Sequence, residues 1–124
     1  MANKYHAKKI QTPDGTFDSK KEYNRWRELK LLEQAGEIEK LERQVSFELI
    51  PAQYESYPRY TPVNHIRTRD GQRCIERPVR YVADFVYQKD GETVVEDTKG
   101  MRTADYIIKR KLMLWVGGIK IKEV

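Results

Sequence analysis

The spacing of apolar residues along the chain predicts two helices. In the first, Ser19 and Glu22 have the separation of an N-terminal capping box, and apolar residues then recur every three or four positions. Gly36 follows the last of them and is the residue type that most often ends a helix. The second helix is predicted from Ala104 to about Val116, with Thr103 as its N-cap and a pair of glycines at its end.

Short runs rich in β-branched and aromatic residues predict strands between and around these helices. Two of them, residues 79–87 and 93–98, flank the pair Asp90-Gly91, which favours a tight hairpin turn. A third run covers residues 44–50, and the alternating sequence 119–124 closes the chain.

The remaining segments are predicted from turn residues and composition. Residues 1–11 are expected to be a flexible basic arm, followed by a turn at Pro13-Asp14-Gly15 between two short strands. Residues 51–63 contain three prolines and are expected to be irregular. Asp70-Gly71 is expected to turn a second hairpin, which folds the six residues before it onto the six after it.

These elements follow the order α-β-β-β-α-β, with an arginine-rich hairpin inserted over residues 51–77. We therefore expect one α/β domain over residues 1–124, built on a mixed central sheet. The length agrees, because domains usually contain about 100–150 residues.

Composition narrows the class of protein. The chain has 24 basic and 19 acidic residues, and its net charge of +5 is too small to identify a partner. The single cysteine, Cys74, excludes an internal disulfide framework and a cysteine-rich zinc site. No apolar run reaches the about 20 residues that a membrane span needs, and the first residues are polar, so a cytoplasmic protein is expected.

The distribution of charge is more informative than its sum. Residues 83–98 carry five acidic residues and one basic residue, whereas residues 51–82 and 99–124 are both net positive. One interpretation is an acidic turn on a solvated surface. The other is a cation site inside a phosphate-binding surface.

The register of the Asp90-Gly91 hairpin favours the second interpretation. A two-residue turn makes Asp84 face Asp97, and strand alternation puts Lys99 on the same face as Asp97. Two facing carboxylates on a half-buried face repel each other, and a hard divalent cation such as Mg²⁺ would resolve the conflict. The alternatives are an ion pair with an arginine such as Arg80, or a register that slips by one residue.

Glu22 lies in the middle of the apolar face of the first predicted helix, between the azimuths of Trp26 and Leu29. A surface glutamate would not be expected there, which suggests a third acidic group close to the metal. The alternative is that Glu22 serves only as the capping partner of Ser19, and one side chain can serve both purposes.

The acidic residues and the lysine together resemble the signature of the PD-(D/E)XK nuclease superfamily. The resemblance rests on Asp84, a following strand, then Asp97-Thr98-Lys99, with Glu22 on the preceding helix. It implies the αβββαβ core of the restriction-endonuclease-like fold, although Ala83 stands where a proline nominally precedes the first aspartate. Five longer segments look like a phage and prophage family of unknown function: FDSKKEYNRWRELKLLEQAGEI, LERQVSFELIP, RPVRYVADFVY, VVEDTKGMRT and YIIKRKLM.

This resemblance implies roles for individual residues. Asp84 and Asp97 would be metal ligands for Mg²⁺, which Mn²⁺ would replace. Glu22 would be the helix-borne acid and a third ligand, and Lys99 the catalytic lysine. Gln44 would be an accessory polar residue.

Further basic residues are expected to contact DNA. Lys109 on the second helix would reach a phosphate, and the loop before that helix suits one as well. An arginine-rich arm can follow backbone phosphates, with a solvated hairpin as the alternative. The arginines concerned are Arg67, Arg69, Arg73, Arg77, Arg80 and Arg102.

The implied function is metal-dependent hydrolysis of DNA in phage replication or recombination, in the host cytoplasm. A Holliday-junction resolvase is the most specific version, and flap, nicking or general endonucleases fit the same residues. A homodimer would explain why the second helix is apolar around much of its circumference. The leading alternative is a non-catalytic DNA-binding module that keeps the nuclease fold. A protein adaptor is a third class, for which the sequence offers no supporting feature.

Overall fold

The computed structural model describes residues 8–61, 66–99 and 101–124, with the backbone alone for 57–61 and 66–70. Helices and strands follow one another in this order: β1 (Ile10–Thr12), β2 (Gly15–Phe17), α1 (Lys20–Gln34), β3 (Glu39–Ile50), β4 (Gln53–Thr61), β5 (Ile66–Glu76), β6 (Val79–Lys89), β7 (Glu92–Asp97), α2 (Ala104–Gly117) and β8 (Lys122–Glu123).

The central sheet has four strands in the order β3-β6-β7-β8. β6 pairs antiparallel with β3 and β7, whereas β8 pairs parallel with β7 after the crossover through α2. The expected α/β class with a mixed sheet is therefore confirmed. β3 is longer than expected, because it begins at Glu39 and not at Gln44.

The two helices cover opposite faces of this sheet. Val94 packs with Leu29 of α1, whereas Val95 packs with Tyr106 and Met113 of α2. Since successive residues of a strand point to opposite faces, each helix encloses its own hydrophobic core. The candidate site lies where β7 ends beside the middle of β6, close to the start of α1.

Both helices are capped as the sequence predicts. The Ser19 hydroxyl accepts a hydrogen bond of 3.1 Å from the backbone N–H of Glu22, and α1 ends before Gly36, whose φ is +79°. The Thr103 hydroxyl accepts from the backbone N–H of Tyr106 at 3.2 Å, and Gly118 ends α2 in the left-handed conformation. Local capping chemistry thus fixes where each helix begins and ends.

The insertion differs from the expectation. Residues 51–63 are not irregular, because β4 occupies Gln53–Thr61 and pairs antiparallel with β5. Asp70-Gly71 lies inside β5, opposite Pro58 and Tyr57, so the hairpin predicted there is wrong. The chain reverses between Thr61 and Ile66, and residues 62–65 lie outside the described part. A proline is tolerated in β4 because a two-stranded ribbon has only edge strands.

Two other expectations concern the start of the chain and α2. The flexible arm predicted over residues 1–11 is too long, because Ile10 and Gln11 pair with β2, and residues 1–7 are outside the described part. The outer face of α2 exposes several large apolar side chains, and Trp115 is 88% exposed. The predicted homodimer stays a prediction. Within the ranges that the structure describes, no helix is long and apolar enough to cross a membrane.

Candidate metal centre

The hairpin β6-β7 has the register that the sequence predicts. Asp90 and Gly91 form its turn with φ values of +53° and +79°. The paired residues run from Lys89 and Glu92 beside the turn to Phe85 and Glu96. The next step along both strands brings Asp84 and Asp97 together, and their carboxyl groups are in hydrogen-bonding contact. The alternative of a register slip is therefore wrong.

Asp97 is a buried carboxyl group with 2% of its surface exposed. Its Oδ2 accepts a hydrogen bond of 2.7 Å from the Tyr81 hydroxyl and lies 3.0 Å from the Lys99 Nζ. Burial raises the pKa of Asp97 to about 7, and the neighbouring Asp84 adds to the rise, against the opposing effect of Tyr81 and Lys99. Near neutral pH, Asp97 therefore remains partly protonated unless a cation compensates its charge.

Asp84 is half-buried and is held by neutral donors. Its Oδ2 accepts from the Thr98 backbone N–H at 2.9 Å and from the Thr98 hydroxyl at 2.7 Å. Among the described side chains, no lysine or arginine lies within ion-pair distance of Asp84. The alternative partner Arg80 instead lies 3.6 Å from Glu48. The carboxylate of Asp84 is thus oriented without being neutralised.

Gln44 lies between two of the predicted acidic residues. Its Nε2 is 3.1 Å from Glu22 Oε1 and 3.3 Å from Asp84 Oδ1, so one amide donates to both carboxylates. The backbone of Gln44 has a φ of +55°, which is uncommon for a residue other than glycine. Such strain in the middle of a strand is typical of functional sites, because the surrounding packing must hold it in place.

Glu22 is buried and contacts both the start of α1 and Gln44. It is 2% exposed on the inner face of α1, as its azimuth predicts. Its Oε2 accepts from the Asp18 backbone N–H at 3.1 Å, while Oε1 faces Gln44 and lies 3.9 Å from Arg43. Burial raises the pKa of Glu22, and the charge of Asp84 contributes to the increase.

These side chains line one cavity of about 570 Å³. Lys99 reaches it from the end of β7 and also lies over the ring of Tyr106, 4.1 Å from its centroid. The lining includes Lys21, Glu22, Asp84, Asp97, Thr98 and Lys99. Four of the predicted catalytic and metal-binding residues therefore lie together in one pocket.

The carboxylates of this cavity determine which metal ion it could hold. In the part of the chain that the structure describes, no three histidine, cysteine, aspartate or glutamate side chains form a group able to hold a metal. Asp84 and Asp97 remain as a pair of hard oxygen ligands, and Mg²⁺ is usually bound through one or two carboxylates. The aspartate pair therefore fits Mg²⁺. Glu22 is separated from Asp84 by the Gln44 amide, which donates to both carboxylates. Glu22 as a direct ligand stays a prediction.

Most of the predicted DNA-binding arginines do not line this cavity. Arg73 is hydrogen-bonded to Glu55 at 2.6 Å, and Arg102 is bonded to Glu123 at 2.8 Å. Arg77 is exposed, and the side chains of Arg67 and Arg69 lie outside the described part. Lys109 is half-buried on α2 and is not among the residues that line the cavity.

The buried pair of Arg25 and Glu96 was not predicted from the sequence. Glu96 is fully buried and accepts from Arg25 Nε at 2.8 Å and Nη2 at 2.7 Å, and also from the Tyr87 hydroxyl. Burial alone would raise the pKa of Glu96, but the bonds from Arg25 and Tyr87 outweigh it and hold the pKa below its usual value. Strand alternation was the available signal, because Glu96 and Asp97 must point to opposite faces.

The geometry defines an α/β protein in which a half-buried and a buried aspartate, Asp84 and Asp97, lie together on adjacent strands beside a lysine. The chain belongs to the family described as "Protein of unknown function (DUF1064)", whose sequence profile matches residues 2–116. No curated protein and no solved structure was found to match the chain.

Proposed function

We propose that this protein is a Mg²⁺-dependent endonuclease that hydrolyses the phosphodiester bonds of DNA, with the fold of the PD-(D/E)XK nucleases. One observation carries the proposal. Asp84 and Asp97 share a cavity, and no described arginine neutralises them, while Lys99 Nζ lies 3.0 Å from Asp97. Two ionised carboxylates in such surroundings destabilise the fold, which selection for structure alone does not favour.

In this account, Asp84 and Asp97 would hold Mg²⁺. The ion, when bound, supplies the Lewis acid that activates water and offsets the charge of the phosphate. The proton that Asp97 retains would be released to solvent on cation binding, because only the ionised carboxylate is a good ligand. Thr98 and Tyr81 keep the two carboxyl groups in place throughout.

Lys99 would act on the reacting phosphate. Its ammonium group borders the cavity and is held against Asp97 and the ring of Tyr106. From there it orients the attacking water or stabilises the negative charge that accumulates on the pentavalent phosphate. Gln44 would fix the relative position of Glu22 and Asp84.

The topology supports the nuclease proposal as well. The core order α-β-β-β-α-β places the acidic residues on α1, β6 and β7, and the lysine directly after β7. This matches the arrangement that the resemblance implies, with Ala83 in place of the nominal proline. The proposed setting is phage replication or recombination, with branched DNA such as a Holliday junction as the most specific substrate.

The test is a cleavage assay on a panel of labelled DNA substrates. Purified protein is incubated with a four-way junction, a flap, a duplex and a single strand, in Mg²⁺ and in EDTA. Cleavage of at least one substrate in Mg²⁺ but not in EDTA is expected, and symmetric cuts confined to the junction would indicate a resolvase. Binding without cleavage of any substrate, in Mg²⁺ and in Mn²⁺, would favour the non-catalytic DNA-binding module.

A further inference from the structure

Three of the six arginines expected to bind DNA are paired with carboxylates of the protein itself. Arg73 is paired with Glu55, Arg80 with Glu48 and Arg102 with Glu123. A guanidinium group that already binds a carboxylate contributes less to phosphate binding, because that pair must first be broken. Other basic residues close to the aspartate pair are therefore candidates for contact with a DNA strand.

A second groove adjoins the cavity that holds the aspartates. It has a volume of about 460 Å³ and is lined by exposed residues of α1, namely Lys20, Lys21 and Asn24. Lys21 and Thr98 line both cavities, so the two are adjacent. Lys21 Nζ also lies 3.5 Å from the backbone carbonyl oxygen of Lys99, which places its charge at the boundary between them.

The positive charge of this groove comes from its two lysines. Arg25 and Glu28 also line it, but they are paired with each other and Arg25 also binds the buried Glu96, so this cluster adds no positive charge. Across the described ranges, neither Lys20 nor Lys21 has a carboxylate within ion-pair distance. An unpaired pair of ammonium groups beside a polar amide is a suitable site for a phosphate diester.

We propose that this groove binds the backbone phosphate next to the one that is hydrolysed, through Lys20, Lys21 and Asn24. The inference rests on the proposed function, because it takes DNA as the ligand and the aspartate pair as the point of cleavage. A strand with one phosphate at Asp84 and Asp97 continues past Lys21 into the second groove. DNA thus crosses the start of α1 on its way from the cleavage site.

The test measures DNA binding in EDTA, where no cleavage occurs. Binding of a fluorescent duplex is followed by anisotropy over a series of salt concentrations, for the wild type and for Lys20→Ala/Lys21→Ala. The double variant is expected to bind about ten-fold more weakly and to lower the salt dependence by about two phosphate contacts. The matched control is Lys111→Ala/Lys120→Ala, which removes the same charge from a different cavity, bordered by α2.

Each outcome decides the inference. If the α1 variant keeps the affinity and salt dependence of the wild type, or if the control loses as much, the inference is overturned. A thermal melt shows that the variant is folded, and Lys20→Gln/Lys21→Gln replaces it if it is not. The proposed function fails separately, if the wild type binds DNA but does not cleave it in Mg²⁺. A wild type that binds no DNA at all overturns both.

Discussion

The buried hydroxyl of Tyr81 donates a hydrogen bond of 2.7 Å to Oδ2 of Asp97. Lys99 contacts the same oxygen at 3.0 Å, so both of these contacts fall on one oxygen of the carboxyl group. Burial, together with this bond to Asp97, raises the pKa of Tyr81, and the phenol remains a donor at every physiological pH. Tyr81 is therefore a positioning residue for the proposed metal ligand.

Tyr81→Phe tests this relationship. Without the hydroxyl, ionised Asp97 loses a donor and its pKa rises further above about 7. We expect the pH at which cleavage reaches half its maximum to move upwards, with a rate reduced by about ten-fold at neutral pH. The exposed Tyr54 offers the control Tyr54→Phe, which leaves the pH profile unchanged. A Tyr81→Phe profile that coincides with that of the wild type argues against a positioning role.

Asp97→Asn is expected to stabilise the metal-free protein above neutral pH. The pKa of Asp97 is raised from 3.8 to about 7, so the folded state binds this proton more tightly than the unfolded state. Its contribution to the free energy of unfolding is complete below about pH 4 and is lost as the pH rises through 7. The asparagine cannot ionise, so the variant should exceed the wild type by about 1–3 kcal/mol at about pH 8.

Urea unfolding of both proteins in EDTA measures this difference. The gap should shrink at about pH 5, where the wild-type carboxyl group is protonated. Glu22 also has a raised pKa, but it is present in both proteins and cancels in the comparison. A variant that is less stable than the wild type at both pH values contradicts the assignment of Asp97 as a strained, ionisable group.

Mg²⁺ should narrow this difference in stability between the wild type and Asp97→Asn. Because a ligand of the folded state stabilises it, the wild type is expected to gain about 1.4 kcal/mol at a Mg²⁺ concentration ten times the dissociation constant. Asp84→Asn and Asp97→Asn should gain far less, since each removes one of the two ligands. Calorimetry in two buffers of different ionisation enthalpy should also detect protons released on binding. Equal stabilisation of all three proteins would place the ion elsewhere.

Arg25→Ala tests the buried pair that was not predicted from the sequence. The substitution leaves the fully buried Glu96 without its main partner, which typically costs about 3–5 kcal/mol of unfolding free energy. Arg80→Ala removes a partner from the exposed Glu48 and should cost less than about 1 kcal/mol. Denaturant unfolding at neutral pH compares the free energies of unfolding of the two variants. Similar losses in both would show that the burial of Glu96 does not increase the cost of removing its partner.

The parts of the site that follow from local rules could be predicted from the sequence. Asp90-Gly91 fixes a two-residue turn, and strand alternation then determines that Asp84 faces Asp97. The azimuth of Glu22 follows in the same way from helical periodicity. Each of these needs only the geometry of one hairpin or one helix.

The parts that depend on distant pairing could not be predicted. Asp70-Gly71 has the same turn signal as Asp90-Gly91. It nevertheless lies inside β5, where Asp70 pairs with Pro58 of β4 and Gly71 pairs with Tyr57. The bond from Thr98 to Asp84 and the left-handed backbone of Gln44 also depend on how the strands meet. Tertiary pairing overrides a local turn preference wherever the longer ribbon makes more ladder hydrogen bonds.

The most direct test of the central claim is single-turnover DNA cleavage in Mg²⁺ by the wild type and by Asp97→Asn. Asp90→Asn is the matched control, because it makes the same change in the exposed turn of the same hairpin. The account predicts that the wild type and Asp90→Asn cleave at similar rates, while Asp97→Asn is slower by about a thousand-fold or more. Cleavage by Asp97→Asn at the wild-type rate, in Mg²⁺ or in Mn²⁺, would contradict it.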